Sequence, residues 1–390
     1  MPGISPVPCG YLTMDTRPFR ADAGEALMKI FNCGACGQLI YFANTACTRC
    51  GHTLGFLPDT TELVALEPAG GDLWHPVGAP QRGYRMCTHY WREGVCNWMI
   101  PAEEATEVFC TACRLNEVIP DLGVEGNRAR WGRLEAEKRR LVYSLLRLGL
   151  PVIPRARDAA GLGFAFLADP EPCFSEADRV MTGHNAGLIT LNIAEADPAQ
   201  RERLRQQMAE PYRTLLGHFR HESGHHYWER LVRDTPWLGP FRESFGDETR
   251  DYHQALQQHY AAGPPPDWRE RFVSAYASSH PWEDWAETWA HYLHIVDTLE
   301  TAHQWGLQVQ LARGAGPVLQ AAPDFDPYAQ EDFDALIRHW LPLSYALNTL
   351  NESMGHAPAY PFVLPRPALE KLALVNRIIH ARPPSPPAPG

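Results

Sequence analysis

His221-Glu222-Ser223-Gly224-His225 is the stretch on which the reading of this chain turns. Side chains four apart on a helix lie on one face, about one turn apart. His221 and His225 can therefore both reach one zinc ion, at about 2.0–2.1 Å each. Glu222, between them, would stand beside the metal's open position, where a carboxylate can take a proton from water. The plainer alternative is a surface helix with two histidines and a solvated glutamate. The flanks argue against it. Residues 212–232 contain no proline, and Leu215, Leu216, Phe219, Trp228 and Leu231 recur at helical spacing. Such a helix is largely buried, and buried imidazoles and carboxylates need partners. His226 lies about 140° around the helix from His221, against about 40° for His225, and is not expected to be a ligand. His218, one turn earlier near the same stripe, reads as a core histidine or one that supports the ligands.

A catalytic zinc takes three protein ligands and keeps a position open. The residues after the box, His226-Tyr-Trp-Glu-Arg-Leu231, do not continue as H-E-x-x-H-x-x-G-x-x-H, so the third ligand is not a nearby histidine. The candidate segment is His280-Pro-Trp-Glu-Asp-Trp-Ala-Glu-Thr-Trp-Ala-His-Tyr-Leu-His294. Pro281 opens a helix well, and acids in its first turns suit the helix dipole. Glu283, Glu287, His291 and His294 then fall along one face. The interleaved tryptophans and alanines argue against a solvated helix.

Glu283-Asp-Trp-Ala-Glu287-Thr-Trp-Ala290 resembles the E-x-x-A-[DE]-x-x-A helix of gluzincins, in which the first acid binds zinc and the second holds a ligand histidine. The resemblance implies Glu283 as the third ligand and Glu287 as the residue that orients a ligand histidine. The reverse assignment, with Glu287 on zinc, stays open. By the same analogy Tyr276, shortly before the glutamate, is a candidate hydrogen-bond donor to an oxyanion, and His280 is its rival.

Ten cysteines in 390 residues are too few for a disulfide scaffold. Cys33-Gly-Ala-Cys36-Gly and Cys47-Thr-Arg-Cys50-Gly are matched C-x-x-C-G knuckles, the pattern of a four-cysteine zinc ribbon. Cys87, Cys96, Cys110 and Cys113 are spaced more loosely and predict a second four-cysteine site, with His89 able to replace one thiolate. Cys9 and Cys173 fall outside both schemes and are expected to be free. One catalytic and one or two structural zinc ions follow. Thiolate zinc sites fit a reducing compartment. No secretory segment opens the chain and no apolar run reaches roughly 18 residues, so a cytoplasmic protein without membrane contact is expected.

The whole layout resembles the bacterial zinc-binding metallopeptidases that carry an N-terminal zinc ribbon. The resemblance rests on the Cys33–Cys50 knuckles followed by Gly55-Phe-Leu-Pro58, and on Cys96-Asn-Trp98 with Cys110-x-x-Cys113-Arg-Leu-Asn116. It continues through the two boxes above to Asn351-Glu-Ser-Met-Gly355 and Tyr360-Pro-Phe-Val363. It implies an α+β protein: a zincin-like (gluzincin) metallopeptidase domain with a mainly helical C-terminal part, preceded by a β-rich zinc-ribbon module. The implied chemistry is peptide or isopeptide hydrolysis with Glu222 as general base and His221, His225 and Glu283 on zinc. A ribbon-bearing adaptor that binds peptides without cutting them is the alternative, disfavoured because it has no need of Glu222.

The expected boundaries are an extension over 1–27, the ribbon module over 28–118, the peptidase domain over 126–380 and a proline-rich loose tail over 381–390. Gly126–Leu148 reads as a basic helix, either solvated or a strut between modules. Strands are expected at Leu150–Pro154, Phe164–Leu167 and Gly187–Ala194, the last as the edge strand over the cleft, where a peptide could add as a further strand. A helix is expected from Ala196 through Val232. An insertion over Trp237–Pro266 follows, and then helices at Asp332–Leu343, Ser344–Met354 and Ala368–His380. The net charge of −11, with three lysines, disfavours a nucleic-acid partner. The expected partners are a peptide or protein substrate and a protein docked on the ribbon.

Overall fold

The computed structural model describes residues 29–169, 180, 182–198, 201, 214–311 and 319–381. The N-terminal extension, the tail beyond residue 381, Cys9, Cys173 and most of the expected helix before residue 214 lie outside the described residues.

The front of the chain is β-rich. β1 (Ile30–Asn32) and β2 (Leu39–Tyr41) form a hairpin across the first knuckle. β3 (Thr53–Leu57), β4 (Glu62–Gly70), β5 (Leu73–Pro76), β6 (Tyr84–Met86) and β7 (Met99–Pro101) make an antiparallel meander in that order. A short helix, α1 (Thr88–Trp91), follows Cys87. β8 (Asn116–Val118) does not join the meander. It pairs in parallel with β9 (Gly163–Leu167), and the long α2 (Asn127–Arg147) forms the crossover between them. The end of the cysteine-rich segment is thus built into the sheet that follows it.

That second sheet runs β10 (Gly183–Asn185), β11 (Leu188–Asn192), β9, β8. The strand expected over Gly187–Ala194 is β11, but it is not the edge. Ala186 and Gly187, at φ 45° and 83°, fold the chain back so that β10 takes the rim. Gly187 is required there, since a Cβ would lie 2.3 Å from the carbonyl oxygen of Gly161. The segment Leu150–Pro154 is no strand: only a bridge from Pro154 to Leu162 forms, because Pro151 and Pro154 have no N–H to give to a ladder.

The rest is helical: α3 (Leu215–Leu231), α4 (Leu238–Phe245), α5 (Tyr252–Ala262), α6 (Trp268–Arg271), α7 (Pro281–Gln304), α8 (Phe333–Ser353) and α9 (Arg366–His380). The two helices expected between Asp332 and Met354 are one, continuous through Pro342. Trp340, Pro342 and Leu343 are all buried in that stretch, and this packing outweighs the hydrogen bond that proline cannot make. α7 is buried nearly all round by Trp285, Trp289, Tyr292, Leu293, Val296 and Leu299.

One continuous apolar core runs from the cysteine-rich front into the helices. Phe42 and Phe56 stack around Tyr143 of α2, the Phe42 ring 5.5 Å from it. α2 is therefore a buried strut: Glu135, Lys138, Arg139 and Arg140 are all buried. An ionic cluster pins the same seam. Lys29, just before β1, meets Asp297 and Glu300 of α7. Arg220 reaches Asp297 at 2.7 Å and Arg147 reaches Glu300 at 2.5 Å. No described helix is long and apolar enough to cross a membrane.

Candidate metal centre

α3 starts where Thr214 caps it, its hydroxyl accepting the Gly217 N–H at 2.9 Å. Leu215 and Phe219 are buried on one side of it, and His221, His225 and Trp228 fall on the other. α7 starts at His280, whose ring accepts the Trp282 N–H, with Pro281 at its first position. The two helices cross where Gly224 faces Ala286.

This crossing brings His221, His225 and Glu283 together, with one ligand atom from each lying within 4.8 Å of the others. His221 Nε2 is 3.0 Å from Glu283 Oε2, and His225 Nε2 is 3.6 Å from Glu283 Oε1. Atoms about 2.0–2.1 Å from a shared tetrahedral ion lie about 3.3 Å apart, and both distances, each to a different oxygen of Glu283, are of that order. Glu283 Oε2 is buried without an aligned hydrogen-bond donor, as suits an oxygen whose partner is a cation. The chemistry and spacing of the donors fit zinc.

Glu287 sits behind this group. Its Oε1 is 2.7 Å from His221 Nδ1, and its Oε2 accepts the Ser274 hydroxyl at 2.6 Å. A carboxylate on the far nitrogen fixes the ring's tautomer and turns Nε2 toward the metal position. Glu283 thus faces Nε2 of both histidines, and Glu287 faces Nδ1 of His221. His225 has no such partner on Nδ1 and packs against Trp282, the two rings 4.0 Å apart and tilted by 45°.

Glu222 is buried on the same helix. Burial alone would raise its pKa, but the hydrogen bond from His218 and the nearby His221 and His225 rings lower it, so the carboxylate is ionised. The Tyr276 ring lies 6.0 Å from that of His221. Burial, with Glu283 nearby, pushes its hydroxyl well above the usual range, so it stays a donor. His280 is a correction to the expectation of a free electrophile: its Nδ1 accepts from the Trp282 N–H and its Nε2 is 3.1 Å from the Arg250 carbonyl. Nδ1 caps α7 and Nε2 is tied to the Arg250 carbonyl.

His226 is buried away from the group, in the field of Arg230 and Asp158. Tyr252 was not legible in the sequence. Its hydroxyl donates to Glu283 Oε1 at 2.6 Å, and no spacing ties a residue of the α4–α5 insertion to α7. His184 on β10 was missed for the same reason; its ring stacks 6.0 Å from that of His225.

Both cysteine sets form. Cys33–Cys50 and Cys36–Cys47 sulfurs are each 3.7 Å apart, Cys96–Cys110 are 3.8 Å and Cys96–Cys113 are 3.6 Å. Disulfide sulfurs would be about 2 Å apart, whereas thiolates about 2.3 Å from one tetrahedral zinc lie about 3.8 Å apart. Cys87 completes the second set. His89 takes no part, its ring packed against Phe109 and Trp131. The first set reaches the surface at Cys50; the second is wholly buried. Cys113 Sγ lies 3.9 Å from Glu135 of α2, so the second set sits at the seam between the front and the helical part.

Comparison with known proteins assigns the chain to a family. Residues 127–378 match the family described as "Putative zinc-binding metallo-peptidase", and residues 30–124 match a zinc-ribbon domain. Uncharacterised proteins from two strains of Mycobacterium tuberculosis and from Mycobacterium bovis are each 42% identical over 354 residues, covering 90% of this chain and 95% of their own. No solved structure matches. The peptidase profile spans well over half of the chain, and the chain belongs to this zinc-binding metallopeptidase family, with a zinc-ribbon domain at its front.

Proposed function

We propose that the protein is a zinc-dependent hydrolase of peptide or isopeptide bonds of gluzincin type, with Glu222 as its general base. The carrying observation is that the ionised, buried carboxylate of Glu222 shares one helix with two members of the His221, His225 and Glu283 group. Zinc, when bound, supplies Lewis-acid activation of a water molecule and of the scissile carbonyl. Glu222 removes the proton from the attacking water and returns it to the leaving amine. Tyr276, kept protonated by burial, donates to the oxyanion that develops on the carbonyl. Tyr252 holds Glu283 in place by its hydrogen bond. The zinc-ribbon front recruits the substrate or a protein partner.

The test is cleavage of a quenched-fluorescent peptide library by the zinc-loaded protein. Glu222→Gln is expected to lower turnover by about 10²–10⁴-fold while its metal content stays at the wild-type level. Equal turnover by this variant would overturn the assignment of the base. A wild-type protein that retains library peptides and cuts none would be an adaptor instead.

A further inference from the structure

Behind Glu222 stands a chain of groups that the proposed reaction has not yet used. His218 Nε2 is 3.4 Å from Glu222 Oε1, and His218 Nδ1 is 2.9 Å from Glu195 Oε2. The other Glu195 oxygen accepts the Thr182 hydroxyl at 2.5 Å. These groups come from three places: Thr182 precedes β10, Glu195 lies in the 3₁₀ turn Ile193–Ala196 after β11, and His218 is on α3 one turn before the metal ligands. The turn is itself fixed, since the Asn192 side chain accepts the Ala194 N–H at 2.9 Å and donates to Asp169 at 2.7 Å. The Thr182 hydroxyl also receives the Asn192 N–H at 3.2 Å.

We propose that His218, clamped by Glu195, is a positioning residue for Glu222: an imidazolium bridging two carboxylates that holds the base in one orientation. This rests on the reading of Glu222 as the base. A neutral imidazole has one N–H and one bare nitrogen, so it can donate to only one of two flanking carboxylates. Both ring nitrogens of His218 face a carboxylate oxygen, and only the doubly protonated ring satisfies both. Among the described residues, the charged groups that bear on the ring are Glu195 from the turn after β11 and Glu222 from α3 itself. Burial works to lower the pKa of His218, but these two carboxylates raise it to about 9. With one Glu222 oxygen engaged by the ring, the other is left for the water. His218 is no metal ligand, because both its nitrogens are committed.

The experiment uses the zinc-loaded full chain, with ¹⁵N-labelled histidine, and the variants His218→Gln and Glu195→Gln. At pH 7.5 the wild type is expected to show one imidazole with both nitrogens protonated, a signal lost in His218→Gln and moved toward the neutral form in Glu195→Gln. On the library peptide that the wild type cuts best, both variants are expected to lose about 10- to 100-fold in kcat with KM and zinc content unchanged. A histidine that merely fills space would lower stability and leave kcat alone. A neutral His218, or unchanged kcat in both variants, overturns the clamp. If the wild type cuts no library peptide, the peptidase reading fails, and the protonation state of His218 still decides the clamp.

Discussion

Gly224 and Ala286 determine how closely the two metal-bearing helices approach: a methyl built on Gly224 would lie 2.9 Å from the Ala286 Cα. The seam is closed on both sides by tryptophans of α7. Trp285 Nε1 donates to the Gly224 carbonyl at 2.9 Å, and Trp289 Nε1 donates to the Ser223 hydroxyl at 3.1 Å. The two unspecified positions of the H-E-x-x-H box are thus the packing surface, and the three ligands stand at its margin. Backbone contact at this point fixes the distance from His221 and His225 to Glu283.

Replacing Gly224 by Ala should push α7 away from α3. Because the obstacle is backbone and not a flexible side chain, the expected cost is about 1–3 kcal/mol. The ligand distances should lengthen with it. Thermal melts and zinc content after dialysis check this; an unchanged melting temperature with full zinc would show that the crossing is more pliant than the contact implies.

Glu283→Ala should bind one zinc fewer per chain than the wild type, with the cysteine sites still loaded. Glu287→Ala should keep the ligand set but loosen the His221 ring, weakening zinc affinity by about 10- to 100-fold. Metal titration with a competing chelator separates the two. The opposite pattern would make Glu287 the ligand.

The pH dependence of stability should carry the signature of His218. Its folded-state pKa, about 9, lies above the ordinary 6.5. The stability it contributes is therefore fully present below about pH 6.5 and lost as pH rises through 9. Melting temperatures between pH 6 and 10 should fall more steeply for the wild type than for His218→Gln. Parallel curves would count against the raised pKa.

The two cysteine sites should differ in what they hold up. Cys110→Ser removes a buried ligand at the seam with α2, whereas Cys50 stands at the surface. Cys110→Ser is expected to cost about 3 kcal/mol or more, roughly 4 °C or more in Tm, because folding and metal binding are coupled there. Cys50→Ser should cost less. Parallel denaturation of the two variants, followed by tryptophan fluorescence, checks the order.

Lys29→Met should destabilise the whole chain, by about 3–5 kcal/mol, because Asp297 and Glu300 then share only Arg220 and Arg147. A urea titration measures this. A loss confined to the ribbon, with the helical part unfolding at its normal midpoint, would show that the cluster does not couple the two.

Much of the centre could be read directly from spacing. His221 and His225 are one helical turn apart, and Glu283 and Glu287 are likewise, so local geometry alone puts each pair on one face. The knuckles Cys33–Cys36 and Cys47–Cys50 are legible for the same reason, since their ligands are sequence neighbours. His280 misled because a histidine next to a metal helix reads equally well as an electrophile or as a cap, and only the position of the Arg250 carbonyl decides which. The rim strand misled because the turn at Ala186-Gly187 reverses the chain without a pattern that periodicity can detect.

The sequence by itself determined the local groupings: which histidines and which acids share a helical face, and which cysteines pair in knuckles, because helical and knuckle spacings are short-range. Only the tertiary structure decided which of Glu283 and Glu287 faces Nε2 of His221 and His225, that Tyr252 lies against Glu283 and Glu195 against His218, and that the second cysteine set lies at the seam with α2. These depend on the crossing of α3 with α7 and on the packing of the strand-rich front against α2, contacts between residues far apart in the chain that no local pattern encodes.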